Sequence, residues 1–227
     1  GVQTCALPIE APETVGVPYI KNTVQKLRPH FASIGIEIQP LKTHEYKELI
    51  EVGVDNLTLY QETYHQATYQ HIHLSGKKRN FKLRLKSPDE GGKAGFHKMN
   101  IGALLGLYEW RFEAIALFHH LIYLQKKYWQ TKFAISFPRI QDTIGQFKPN
   151  YTVKDIDILQ FICAFRMIFP DLSITLSTRE TPQFRDNLIG LGITNLSAES
   201  NTSPGGYSNP NEVEQFSIAD HRSVKEV

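Results

Sequence analysis

Cysteine is almost missing from this 227-residue chain: Cys5 and Cys163 are the whole complement, and they support no disulfide framework. Charge of one sign is missing as well. The 25 Lys and Arg nearly balance the 23 Asp and Glu, for a formal net charge of +2 scattered along the chain. The short cluster Lys77-Lys78-Arg79 reads as a loop, so there is no basic stripe for nucleic acid. No apolar run approaches the roughly 20 residues that cross a bilayer, and the start has no basic, apolar, small-residue succession of a secretory signal. A Gly-rich turn opening a helix is lacking too, since Gly102 and Gly106 lie inside a strand-like run. These absences predict a cytoplasmic chain with neither membrane nor nucleic acid as partner. What is present, 41% hydrophobic residues over this length, suffices for one well-buried domain.

The first nine residues, Gly1-Val2-Gln3-Thr4-Cys5-Ala6-Leu7-Pro8-Ile9, read as a sequencing adapter translated in frame, and they are set aside from the fold. The domain then occupies residues 10–227, Cys5 is foreign, and the chain is expected to be truncated at its start. The closing Ser223-Val224-Lys225-Glu226-Val227 reads as the opening of a helix, so its end is expected to be truncated too.

Between those ends, short apolar runs alternate with longer amphipathic stretches. Residues 36–40, 56–64, 99–107, 132–140, 173–180 and 193–200 read as strands. Helical spacing runs through Phe112, Ile115, Ala116, Ile122 and Leu124 within 109–128, and through Ile156, Leu159, Ile162, Cys163 and Met167 within 154–169. Repeating strand–helix units predict an α/β fold with a parallel sheet, either open and doubly wound or closed into a barrel. The polar residues favour the barrel. Gln39, Gln61-Glu62-Thr63, Ser136 with Arg139, Ser177-Thr178-Arg179 and Ser197 to Ser200 all fall at the trailing ends of different strands, where a TIM-type barrel keeps its active face.

The sharpest of these ends is Leu176-Ser177-Thr178-Arg179-Glu180. Ile174, Thr175 and Leu176 form a short apolar run that turns abruptly polar before Thr181-Pro182 breaks it. Ser177 and Arg179, two apart on a strand, face the same way and are placed to grip one carboxylate through a hydroxyl and a guanidinium. The plainer reading is a solvated strand-to-helix loop with a helix-capping hydroxyl. Other candidates have equally plain competitors: Glu62 as a capping acid, and His65, His71 and His73 as aromatic or surface residues, not metal ligands. His119-His120 reads as a helical pair with one ring facing water. Cys163, on an apolar helix face, reads as a buried, inert thiol, and Pro204-Gly205-Gly206-Tyr207 as a turn. No metal-binding residue is assigned.

Taken together these segments resemble the radical S-adenosylmethionine (radical SAM) tyrosine lyases. The resemblance runs from Glu10 to the last residue. It is carried by Ile38-Gln39-Pro40-Leu41, by Tyr60 to His65 with Thr68-Tyr69, and by Arg84-Leu85 before Pro88-Asp89. It continues through Gly102 to Leu107, Ser136-Phe137-Pro138-Arg139, Leu176 to Glu180, Ser197-Ala198 and Pro204 to Tyr207. The family implies an incomplete TIM-type (β/α) barrel of the radical SAM kind, here without its first strand and the CxxxCxxC loop that binds a [4Fe-4S] cluster. It further implies S-adenosyl-L-methionine as cofactor, near Glu10, Glu62 and Arg84, with Arg84 on the cofactor carboxylate. Ser177 and Arg179 would position the carboxylate of L-tyrosine.

The implied reaction is cleavage of the Cα–Cβ bond of L-tyrosine to 2-iminoacetate (dehydroglycine) and p-cresol, with 5′-deoxyadenosine and methionine, for thiamine thiazole biosynthesis. The implied partners are a thiazole synthase and an electron donor such as flavodoxin or ferredoxin. The Pro204 to Tyr207 turn and the long 141–154 connection favour the thiamine branch. Alternatives are the tyrosine lyase of [FeFe]-hydrogenase maturation, a tryptophan-cleaving relative, and a non-catalytic barrel that serves as a binding module. One departure stands out: relatives commonly read Ser-Ala-Gly-Ser-Lys-Thr where this chain has Ser197-Ala198-Glu199-Ser200-Asn201-Thr202.

Overall fold

Capping chemistry sets most of the helix boundaries in the computed structural model, which describes residues 15–74, 79–140, 149, 151–202 and 218–227. Helix α1 (Val17–Leu27) has Pro18 in its first turn, where a missing N–H costs nothing. After β1 (Gly35–Glu37), α2 (Thr43–Glu51) opens with the Lys42 N–H donating to Glu45 at 2.7 Å. Strand β2 (Asn56–Tyr60) leads into α3 (Gln66–Ile72), and α4 (Phe81–Ala94) is capped by the Asn80 carboxamide, which accepts from the Leu83 N–H at 3.0 Å. Gly95 ends α4 in the left-handed region at φ 95, a conformation glycine adopts without a Cβ penalty. Then follow β3 (Lys98–Gly102), α5 (Trp110–Lys127), β4 (Lys132–Ser136) and α6 (Asp155–Ile168). The chain continues through β5 (Ser173–Leu176), α7 (Pro182–Ile189) and β6 (Asn195–Leu196). Thr181-Pro182, read from sequence as a breaker, is the N-cap and first residue of α7, with the Thr181 hydroxyl accepting from the Phe184 N–H.

The strands form one sheet in the order β1-β2-β3-β4-β5-β6. The registers Gly35↔Asn56, Ala134↔Ser173 and Thr175↔Asn195 are parallel. This order decides between the two α/β alternatives. A doubly wound sheet reverses its winding at a switch point, whereas here each strand lies beside its predecessor in sequence, the singly wound order of a (β/α) barrel.

The described residues fall into two compact units. The first holds 15–61, 66–74, 79–101 and 119–133, and the second holds 62–65, 102–118, 134–140, 149, 151–202 and 218–227. In the first, α2 and α4 pack through Tyr46 and Leu49, with the Tyr46 ring edge-on to Phe96 at 5.4 Å. Gly91 lets α4 lie close on the sheet, because a Cβ there would come within 2.7 Å of Leu57 and 2.9 Å of Met99. In the second, stacked Phe137, Phe161 and Phe165 form the apolar base, with centroids 4.2 and 4.8 Å apart.

Two helix faces differ from the sequence reading. Helix α6 buries Ile158, Phe161, Ile162 and Phe165, while Ile156 and Met167 are 54% and 84% exposed. Cys163 is exposed, not buried and inert. Its helix is apolar nearly all round, so periodicity alone cannot choose the face, and the phenylalanine stack chooses it. On α5, likewise, Leu117, Leu121 and Leu124 are buried together with Glu113, while Phe112 and Ile115 are exposed.

Candidate active site at the strand ends

From Leu172 to Glu180 burial alternates residue by residue. Leu172, Ile174, Leu176, Thr178 and Glu180 are buried, while Ser173, Thr175, Ser177 and Arg179 are half-exposed. Ser173 and Thr175 share one face of β5, but Ser177 and Arg179 lie past its last residue in a turn closed by the Glu180 N–H on the Ser177 carbonyl at 3.4 Å, not on the strand their spacing assumes. They are close: the Arg179 N–H donates to Ser177 Oγ at 3.3 Å.

The buried residues between and after them are held from behind. Glu180, 2% exposed, takes a two-toothed grip from Arg139, whose Nε lies 3.1 and 3.0 Å from its carboxylate oxygens and whose Nη2 lies at 2.5 Å. Arg139 also donates to the Val153 carbonyl at 3.0 Å and to Asp155 at 2.6 Å, which ties the end of β4, the start of α6 and the end of β5 together. Burial pushes the Glu180 carboxyl above its usual range, with the Arg139 guanidinium opposing. The Thr178 carbonyl accepts from the N–H groups of Ala219 and Asp220 at 2.9 and 3.0 Å. Asp220, fully buried, pairs with fully buried Arg185 on α7 and with Arg222. The Arg222 hydrogen bonds bring the Asp220 carboxyl down to about 2 against the cost of burial. Arg185 donates in turn to the Ser197 carbonyl just past β6.

Glu62, at the end of β2, has φ 72, a left-handed conformation costly for a residue with a Cβ. Its carbonyl accepts from the Leu104 N–H at 2.7 Å. The two following residues are anchored by Glu113 of α5, which accepts from the Thr63 hydroxyl and, at 2.8 Å, from the Tyr64 N–H. Burial pushes the Glu113 carboxyl up, and these hydrogen bonds pull it down. His65 stacks on Tyr108 at 3.7 Å, and His73 stacks on Tyr69 at 4.2 Å. His65 and His73 are thus packed against aromatic rings, and among the described residues no group of three or more His, Cys, Asp or Glu is arranged to hold a metal ion.

In the first unit Arg84 is buried on α4, with its Nε 2.6 Å from the carbonyl of Tyr60, the last residue of β2. Gln61 follows it, buried, with neither amide atom partnered among the described residues. Gln39 is buried and reaches the Val15 carbonyl, while Ser136, in the second unit, donates to the Thr175 carbonyl at 3.4 Å. Glu10, Lys77-Lys78, Pro204 to Tyr207 and most of 141–154 lie outside the described residues. Ser177 and Arg179 are thus brought together on one turn in the second unit, Glu62 belongs to that unit as well, and Arg84 on α4 of the first unit reaches the last residue of β2. Glu113, Arg185 and Asp220 were not singled out in the sequence, where an isolated Glu, Arg or Asp carries no motif. Glu113 facing inward from an otherwise apolar helix stripe was the one available signal.

Six parallel strands among the described residues, each beside its predecessor in sequence, are the order of an incomplete (β/α) barrel of the radical SAM type. Residues 136–227 match the Biotin and Thiamin Synthesis associated domain family. The chain is homologous to 2-iminoacetate synthase of Escherichia coli, with 45% identity over 215 residues, and to that of Salmonella typhimurium, with 43%. Each alignment covers 94% of this chain and 57% of the relative, so the chain spans little more than half the length of these curated relatives. Among solved structures it superposes on HydG, a maturase of the [FeFe]-hydrogenase, with a TM-score of 0.88 and 31% identity over 95% of this chain and 49% of that one. For HydG from Carboxydothermus hydrogenoformans the TM-score is 0.86 with 32% identity, covering 95% and 50% of the two chains. Methylornithine synthase, at 16% identity and TM-score 0.66, shares the fold.

Proposed function

We propose that the protein is a radical SAM carbon–carbon lyase, a 2-iminoacetate synthase that cleaves L-tyrosine to 2-iminoacetate and p-cresol for thiamine thiazole biosynthesis. The observation that carries this reading is the turn after β5, where Ser177 and Arg179 are both half-exposed with the Arg179 N–H 3.3 Å from Ser177 Oγ, a hydroxyl and a guanidinium available for one carboxylate as the family resemblance implies. The curated relatives at 45% and 43% identity support it, and they favour it over the hydrogenase-maturation alternative, whose structures match at 31% and 32%.

The described residues fit S-adenosylmethionine and do not fit the cluster. A buried guanidinium at a strand end, Arg84, suits a carboxylate, and the unpartnered Gln61 amide offers both a donor and an acceptor. Cys163 is the only thiol among the described residues, and one thiolate cannot hold a [4Fe-4S] cubane. S-adenosylmethionine, when bound and given one electron from the donor, would supply the hydrogen-abstracting radical and release methionine. The chain's own residues do the rest. In the family pattern the backbone around Glu10 holds the methionine amino group of the cofactor, Glu62 contacts its polar groups, and Arg84 pairs with its carboxylate. Arg179 and Ser177 fix the tyrosine carboxylate, so the substrate is aimed along a single line and its Cα–Cβ bond breaks in preference to unproductive turnover. A thiazole synthase to receive the hydrolysable imine, a flavodoxin or ferredoxin donor, and a cytoplasmic location complete the reading. Among the described residues no helix is long and apolar enough to cross a membrane.

The test uses protein produced from the complete reading frame, in single turnovers with L-tyrosine. Arg179→Lys keeps the charge and loses the planar fork, so 5′-deoxyadenosine should continue to form while p-cresol falls about a hundredfold, the usual consequence of a displacement near 1 Å. Ser177→Ala should show the same pattern more mildly, having lost one hydrogen bond of about 1 kcal/mol. An unchanged ratio of p-cresol to 5′-deoxyadenosine in both variants would remove this pair from the substrate site.

A further inference from the structure

The two half-exposed residues of the β5 turn project from a backbone that is fastened at each buried position beside them. Thr178, between Ser177 and Arg179, gives its carbonyl to the N–H groups of both Ala219 and Asp220. Glu180, next after Arg179, is buried and gripped by Arg139. Asp220 and Arg185 are both fully buried, 35 positions apart, and Arg185 stands in the first turn of α7, the helix that the β5 turn feeds. The Asp220 carboxylate therefore does two things at once. It fixes the segment whose N–H groups hold Thr178, and it fixes the helix that begins five residues after Ser177. Arg222 closes the arrangement, with Nη2 at 2.7 Å from Asp220 and both Nη atoms on Asp186 at 3.0 and 2.9 Å.

Building on the tyrosine-carboxylate reading above, we infer that Glu180 and Asp220 are the positioning residues that aim Ser177 and Arg179. Neither points to the half-exposed face, so neither touches the substrate. Each removes freedom from one side of a turn whose tolerance is small, because a displacement of about 1 Å at a carboxylate clamp misaims the reacting carbon. A scaffold residue would support every activity of the protein equally. A positioning residue instead has a selective signature: loss of tyrosine binding and of productive coupling, with cofactor cleavage retained.

The experiment compares Asp220→Asn and Glu180→Gln with the parent, each produced from the complete reading frame. Three quantities are read: L-tyrosine affinity by calorimetry without reductant, the p-cresol to 5′-deoxyadenosine ratio in single turnovers, and 5′-deoxyadenosine formation without tyrosine. The expected result for both variants is a loss of about tenfold or more in tyrosine affinity and in the product ratio, with tyrosine-independent cleavage within about twofold of the parent. Asp220→Glu, which restores the charge, should recover part of the ratio. If Asp220→Asn does not fold by circular dichroism, Glu180→Gln decides the matter from the other side of the turn. A parental ratio in a folded variant, or a uniform fall in all three quantities, overturns the inference. Should Arg179→Lys also keep the parental tyrosine affinity, the carboxylate reading beneath it falls as well; if only the Glu180 and Asp220 variants are parental, that reading stands.

Discussion

Asp220 and Arg185 meet with neither side chain exposed to water, a pairing that is costly to assemble and more costly to break on one side. Asp220→Asn leaves the Arg185 charge without its counter-ion and should cost about 3–5 kcal/mol near neutral pH. The pH dependence has a definite sign. The carboxyl lies at about 2 in the folded protein, below its unfolded value near 3.9, so its stabilisation is complete above about pH 4 and is lost as the pH falls through about 2. Urea denaturation of parent and variant from pH 7 down to pH 2 should show their stability gap narrowing below pH 4; a constant gap would contradict the assignment. Glu199 offers a second residue-scale test. It sits at φ 51, and a left-handed residue with a Cβ costs about 1–2 kcal/mol. Glu199→Gly should therefore raise the melting temperature and Glu199→Ala should not, whereas equal effects would remove backbone strain as the cause. That Ser177 and Arg179 lie close together past β5 was legible because the apolar run ends at Leu176, but the turn that holds them was not, since their spacing reads equally well as strand. The anchors were not legible: Glu113 reaches Thr63 across 50 positions, and nothing local marks such a partner.

Elements were legible in kind and order, and their ends were not. The strand read at 132–140 stops at Ser136, and the one read at 173–180 stops at Leu176. The surplus residues carry strand-like alternation in sequence but fold as connections past the strand ends, 177–180 as a turn; Arg139 still pairs with Leu105 as an isolated bridge. Helix faces were misread where a helix is apolar on more than one side, as Cys163 and Met167 show on α6. Helix α4 shows how sharply an element can depend on one missing side chain. A Cβ on Gly92 would lie 2.5 Å from the Tyr128 ring, and Tyr128 is held at 2.9 Å by Asp89 Oδ1, which also accepts from Tyr123 and Lys127. Gly92→Ala gains about 1 kcal/mol of helix propensity and should still destabilise by about 1–3 kcal/mol through overpacking. Gly190→Ala, with φ −75 and nothing within 4 Å of its Cβ, should be neutral or stabilise by up to about 1 kcal/mol. Equilibrium denaturation of both separates packing from propensity, and a Gly92→Ala protein as stable as the parent would show that Tyr128 moves at no cost.

At the scale of the whole molecule, the distinction between an open and a barrel-type sheet rests on strand order, which local sequence does not encode. The clustering of Ser136, Arg139, Ser177, Arg179 and Ser197 behind successive strands was the sequence's indirect evidence for a barrel, and the order β1 to β6 bears it out. The same clustering places these side chains past the ends of successive strands, where the fold can vary its loops without losing its core. The central claim is that this end holds L-tyrosine for Cα–Cβ cleavage, and product analysis tests it most directly. Reduced protein from the complete reading frame, given S-adenosylmethionine and L-tyrosine, should yield p-cresol and glyoxylate, the hydrolysis product of 2-iminoacetate, each in step with 5′-deoxyadenosine. Formation of 5′-deoxyadenosine without p-cresol, or p-cresol without an equivalent of glyoxylate, would contradict it.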